Sequence, residues 1–132
     1  MRVSRATALL MFAAVLFGSC GSGPVDPSKN TTETFSGTLD PRGIRTYTVS
    51  VNNTGEYSVK ITALSPTPTA IVGTLWALGA GCELPQQRND FSTLNTPALG
   101  GPIYQKGTYC VAIFDIGVLT ATQNFTLSIS HP

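Results

Sequence analysis

The chain has 132 residues, of which 42% are hydrophobic and 11% charged; that length allows one domain, and disorder needs the opposite balance. A formal net charge of +1, carried by scattered basic residues, offers no electrostatic footprint for nucleic acid. The 13 glycines and 9 prolines, among many Thr and Ser, suit short strands and frequent turns rather than helices.

The N-terminus stands apart. Arg2 and Arg5 precede an apolar run over residues 6–17. This is the pattern of a secretory signal, and it falls short of the roughly 20 residues a membrane span needs. The run ends at Phe17-Gly18-Ser19-Cys20, which resembles a bacterial lipoprotein lipobox, with small residues beside the cut and Phe17 where Leu is usual. The resemblance implies diacylglyceryl transfer to the Cys20 thiol, cleavage before it, and acylation of the new amino group. Several acyl chains, at about 0.8 kcal/mol per buried methylene, hold a domain firmly to a membrane. Gly21 and Ser22 follow, with no Asp to suggest inner-membrane retention, so the expected address is the outer membrane. Ordinary signal cleavage after Ser22 remains the alternative.

Lipidation also settles the cysteine arithmetic. With Cys20 removed from a total of three, Cys82 and Cys110 remain as a pair in an oxidising compartment, where a disulfide is the default. Two buried free thiols are the rival state. A metal site is disfavoured, because neither has a His or second Cys at ligand spacing.

Residues 20–31 are polar and broken by Gly and Pro, and read as a flexible tether. From residue 32 onward the pattern becomes that of strands. Residues 34–39 form a first candidate, followed by a turn at 40–43. Residues 44–51 place Tyr47, Val49 and Val51 at period two. Asn52-Asn53-Thr54-Gly55 is a hairpin signal, and beyond it Tyr57, Val59 and Ile61 alternate with Glu56, Ser58, Lys60 and Thr62. That is a strand with one dry and one wet face.

Residues 69–78 are apolar on both faces and suit a central strand, with Trp76 packed. Residues 83–102 are the least periodic, with short edge strands expected near Phe91 and Ile103. Residues 108–115 place Tyr109, Val111 and Ile113 opposite Cys110, Ala112 and Phe114. In the last strand, 124–130, Phe125, Leu127 and Ile129 face inward. Seven to nine short strands with regular turns predict an all-β fold, a single antiparallel β-sandwich over residues 32–132, preceded by a signal peptide at 1–19 and the tether at 20–31.

The strand texts Phe35-S-G-T-L39, Tyr47-T-V-S-V51, Gly55-E-Y-S-V-K-I61, Gly107-T-Y-C-V-A-I113 and Phe125-T-L-S-I129 together resemble the bacterial pre-peptidase C-terminal domain. The resemblance implies a jelly-roll-like sandwich, non-catalytic, of a kind appended to secreted enzymes and implicated in secretion, localisation or substrate adhesion. Some members bind calcium through an acidic strand. The matching residues 70–78 carry no carboxylate, a departure that counts against such a site.

No catalytic apparatus is legible. The single histidine, His131, has no nucleophile elbow to serve, and the acids are dispersed. Asp115, beside Gly117, reads as a turn residue bonding local amides; calcium ligation by Asp115 with Asp90 or Asp40 is the weaker reading. No motif calls for a cofactor. The irregular stretch Gln86, Gln87, Arg88, Asn89 and Asp90 is the candidate recognition loop, because loops on rigid sandwiches carry binding. The expected function is therefore a non-enzymatic, lipid-anchored envelope protein, binding a protein or polysaccharide partner. An accessory or chaperone-like factor for a secreted protease is the alternative, and a small hydrolase is the weakest reading.

Overall fold

The computed structural model describes residues 27–132. The signal segment, the lipidation site Cys20 and tether residues 21–26 lie outside the described residues. A short 3-10 turn at Pro27–Lys29 leads into eight strands: β1 (Thr31–Leu39), β2 (Ile44–Val51), β3 (Gly55–Ser65), β4 (Val72–Leu78), β5 (Leu84–Ser92), β6 (Pro97–Ile103), β7 (Gly107–Phe114) and β8 (Gln123–His131). The last residues of the expected tether are docked. Asn30 Nδ2 donates to Glu56 O at 2.8 Å and to Ser130 Oγ at 3.1 Å, which brings the start of β1 onto the sheet.

The strands form two antiparallel four-stranded sheets, in the orders β1-β8-β3-β6 and β2-β7-β4-β5. The antiparallel pairs β1·β8, β2·β7, β3·β6 and β4·β5 are those of one long hairpin of segments folded over on itself. That is the jelly roll, a double-sheet solution for antiparallel chains. Only the β4–β5 connection joins strands that pair with each other.

One expectation is thereby corrected. Residues 52–55 do not close a hairpin: β2 pairs with β7, and β3 pairs with β6 and β8. The short polar link carries the chain across the sandwich, because β2 and β3 each bury an apolar face and a jelly roll places those faces opposite one another.

Period-two patterning decides what is buried. Along β3, Tyr57, Val59 and Ile61 are buried while Glu56, Ser58 and Thr62 are exposed. In β8, Phe125, Leu127 and Ile129 are buried. The doubly apolar β4 lies between β7 and β5, as a strand with no wet face requires. On β7, Tyr109, Val111 and Ile113 enter the common core, and Cys110 and Ala112 on the opposite face are also buried.

Cys82 and Cys110 form a disulfide with their Cα atoms 5.1 Å apart. It ties the β4–β5 turn to β7, beside the Gly79 N–H donating to Thr108 O at 2.8 Å. Its sequence separation is 28, a loop whose closure is worth about 3.5 kcal/mol in the chain-entropy account.

Candidate functional site

The sandwich has two flanks, each made of two edge strands. Between β5 and β6 lies a groove of about 610 Å³, within the roughly 300–1,000 Å³ of ligand sites in general. Its floor is a stack of three aromatic rings. Tyr57 comes from β3 in one sheet; Trp76 and Tyr109 come from β4 and β7 in the other. Trp76 lies between the two tyrosines, with ring centroids 4.1 Å from Tyr57 and 4.8 Å from Tyr109. Such pairs contribute about 0.5–1.5 kcal/mol each beyond their buried area. Trp76 is 1% exposed, so it is packed, as expected, and also underlies the groove.

The walls are polar. Gln87 Oε1 accepts from the Tyr57 hydroxyl at 2.5 Å and from the Gly100 N–H at 3.0 Å. A backbone N–H can only donate, so the orientation of this amide is fixed: its Nε2 carries the unused donors. Gln86 Nε2 donates to Leu84 O at 3.1 Å, which leaves its Oε1 as an acceptor. Gln86 and Gln87, neighbours in sequence, both line the groove, which a regular strand forbids. The register explains it. Trp76 pairs with Gln87 but Ala77 pairs with Pro85, so Gln86 is the extra residue of a bulge, the device that re-aims a side chain.

Opposite, Gly100 and Gly101 leave the wall bare. A Cβ at Gly101 would stand 3.9 Å from Tyr57 Cε1, so a side chain there would roof the Tyr57 ring; one at Gly100 would meet the Tyr57 carbonyl at 3.2 Å, on the face shared with Ser58. The rim carries Tyr104, 84% exposed, and Leu84, 57% exposed. Tyr109 donates its hydroxyl to Gln105 O at 2.7 Å, fixing the turn after β6. Burial pushes the Tyr57 hydroxyl up to about 12, helped by the neighbouring Tyr109, and burial also raises Tyr109. Both tyrosines are therefore neutral donors at ordinary pH.

The expected recognition loop, Gln86 to Asp90, is instead part of strand β5, and its residues divide between two environments. Gln86 and Gln87 line the groove. Asn89 Nδ2 donates to Ala98 O at 2.8 Å, clipping β5 to β6. Arg88 pairs with Asp90 at 2.6 Å and lies over the Phe114 ring, 4.6 Å from its centroid.

Asp115 is placed as a turn residue. Its Oδ2 accepts from the Arg42 N–H at 2.8 Å, and its Oδ1 from those of Gly117, Val118 and Leu119 at 2.9–3.1 Å. Burial alone would raise its pKa, but the four amides outweigh that and lower it. Asp40 accepts from Thr122 and faces Arg45. No group of three or more metal-ligating side chains occurs among the described residues, and Asp115 and Asp90 are each engaged with their own partners. His131, the last residue of β8, is 3% exposed, and its Nε2 lies 2.9 Å from Glu33 Oε1.

The sequence reading did not foresee Tyr57, Tyr109, Gly100, Gly101, Tyr104 or Gln105 as parts of one site. The Gly100-Gly101 doublet, three residues before Tyr104, was the one local sign, since paired glycines in a strand mark a close approach or a missing wall. Fold and site together define the class: a disulfide-linked jelly-roll sandwich with a neutral groove of amides and aromatic rings at one flank. No family model matches the chain, and no curated protein matches it.

Proposed function

We propose that the chain is a non-enzymatic, lipid-anchored protein of the bacterial cell envelope, held at the outer membrane through Cys20, whose sandwich binds its ligand in the β5/β6 groove. The anchor rests on the resemblance at Phe17-Gly18-Ser19-Cys20, and one observation carries the binding reading. The groove presents a fixed amide, Gln87, with unused donors directly over an aromatic floor, and a rigid polar group beside an apolar surface is how small sites orient ligands.

The chemistry of the groove supports binding over catalysis. No carboxylate, imidazole, thiol or amine is among its lining residues, so a general base would have to come from elsewhere. The single histidine sits with Glu33 at the end of β8.

Two measurements test the proposal. Intact mass of the mature protein should begin at Cys20 carrying a diacylglyceryl group and a fatty acyl chain; an unmodified start at another residue overturns the anchor. Retention of the unlipidated protein from Gly21 onward on isolated envelope material should fall at least tenfold when Leu84→Arg and Gln87→Trp together obstruct the groove. Equal retention of the obstructed and native proteins overturns the groove as the binding site.

A further inference from the structure

The class of ligand follows from what the groove contains and lacks, given that the groove is the binding site. Its titratable lining groups are all tyrosines, and burial keeps the two at the floor in their neutral form. A charged ligand would lose hydration there and gain no counter-charge, which is costly. The occupant should therefore be uncharged.

Its polar groups must both give and receive hydrogen bonds within a short span. Gln87 offers Nε2 donors, because its Oε1 is committed to Tyr57 and Gly100. Gln86 offers an Oε1 acceptor, because its Nε2 is committed to Leu84 O. The Gln105 side chain adds an amide with both. Hydroxyl groups, each one donor and two lone pairs, match such an alternation.

The remaining surface is apolar and ring-shaped. The Tyr57 ring lies beside bare Gly101, and the Tyr104 ring and Leu84 stand exposed at the rim. A ligand with hydroxyls around its edge and a C–H face is a sugar ring.

An extended peptide adding to a sheet edge would be the other neutral occupant. The edges do not suit it. β6 carries Pro97 and Pro102, and β5 carries Pro85; each removes a ladder donor. Register shifts also break both pairings, β3·β6 and β4·β5. Strand addition needs an unbroken row of N–H and C=O groups, and prolines and bulges are how edges refuse it.

We propose that the β5/β6 groove recognises a neutral glycan, a short uncharged stretch of polysaccharide whose hydroxyls meet Gln86 and Gln87 and whose ring face packs on Tyr104 and Leu84 at the rim, above the recessed Tyr57–Trp76–Tyr109 stack.

The single tryptophan of the chain is Trp76, under the groove, so its fluorescence reports occupancy. The purified full chain is titrated with neutral glucose, xylose and N-acetylglucosamine oligomers, with oligogalacturonate, and with a proline-free alternating Val-Thr peptide. Calorimetry runs in parallel. A saturable fluorescence shift with at least one neutral oligomer, and none with oligogalacturonate or peptide, is expected. Gln87→Leu should weaken that binding at least tenfold. Tyr104→Ala, at a position too exposed to disturb folding, should weaken it several-fold, while Thr34→Ala, exposed on β1 at the opposite flank, leaves it unchanged. Binding of the peptide alone overturns the glycan, binding of the oligogalacturonate alone overturns its neutrality, and either leaves the groove standing as a site. Calorimetric binding of a glycan that survives both Gln87→Leu and Tyr104→Ala overturns the groove itself. No heat and no fluorescence change with any neutral oligomer overturns the glycan.

Discussion

The two flanks of the sandwich solve the same problem with opposite chemistry. At the β1/β2 flank the sheets are joined by rings. Phe35 and Tyr47 stack at 4.7 Å, Tyr47 meets Phe125 edge-on at 6.2 Å, and Gly37 lacks the Cβ that would press on the Tyr47 hydroxyl. At the β5/β6 flank the rings are recessed and the edges are joined by amides, Asn89 to Ala98 and Gln87 to Gly100. Rings across an edge exclude water and leave nothing to bind with. Amides across an edge hold two strands together and still keep unused donors and acceptors. A sandwich needs both flanks shut against edge pairing, and only the second way of shutting one leaves a site.

That contrast is broken most forcefully at Trp76. Removing a fully packed tryptophan costs about 3–5 kcal/mol, and Trp76→Ala also unstacks both tyrosines. Tyr47, at the other flank, is only half-buried; Tyr47→Ala should cost clearly less. Urea denaturation of the two variants measures the difference, and equal losses would show that the recessed stack is no more a part of the core than the ring pair at the closed flank.

The disulfide separates the flanks in another way. It anchors the turn from which β5 departs, so its loss should fall on the groove wall first. Cys82→Ala with Cys110→Ala is expected to lower stability by about 3.5 kcal/mol. Amide exchange should quicken in β5 and β6 before it does in β1 and β2. Uniform quickening would mean that the bridge acts on the whole sandwich and not on one flank. Iodoacetamide labelling of Cys82 and Cys110 that is the same with and without reductant would mean that no bridge forms.

What could be read beforehand divides along the same line. Strands with one wet face announce themselves, and β2, β3 and β8 fell where period two placed them; β7 did so too, although both of its faces are buried. The doubly apolar β4 was legible as a central strand because no residue in it tolerates water. β5 was not legible. A strand exposed on nearly every residue, with a bulge at Gln86, has neither alternation nor an apolar run, so it resembles a loop until β4 is seen to pair with it. The partnerships were hidden for a related reason. A jelly roll pairs strands far apart in sequence, and a short polar link such as 52–54 looks the same whether it turns back or crosses over. The groove needed both facts at once: the bulge that aims two glutamines, and the topology that brings Gly100 and Tyr57 to meet them.

The smallest expected effect bears most directly on how the amide flank is held. A tyrosine in an unfolded chain ionises near pH 10, as about 10 is its ordinary pKa. Folded Tyr57 is pushed up to about 12 by burial and, second, by Tyr109. The folded state thus holds this proton more tightly. The resulting stabilisation is whole below about pH 10 and is lost as the pH rises through about 12, where the unfolded chain alone gains from ionising. Ionisation would also take away the proton that the hydroxyl gives to Gln87. At neutral pH, Tyr57→Phe should cost about 0.5–1.5 kcal/mol for that bond. Denaturation between about pH 9 and 12 should then show the native protein losing its advantage over the variant as the tyrosine titrates. Burial raises Tyr47 as well, against the lowering effect of Arg45, but its hydroxyl makes only a 3.4 Å contact with Ser36 O. Tyr47→Phe should therefore shift the alkaline limb less than Tyr57→Phe. Alkaline limbs that move equally in the two variants would place the two hydroxyls in equivalent surroundings, and the distinction between a ring-closed and an amide-closed flank would lose its electrostatic half.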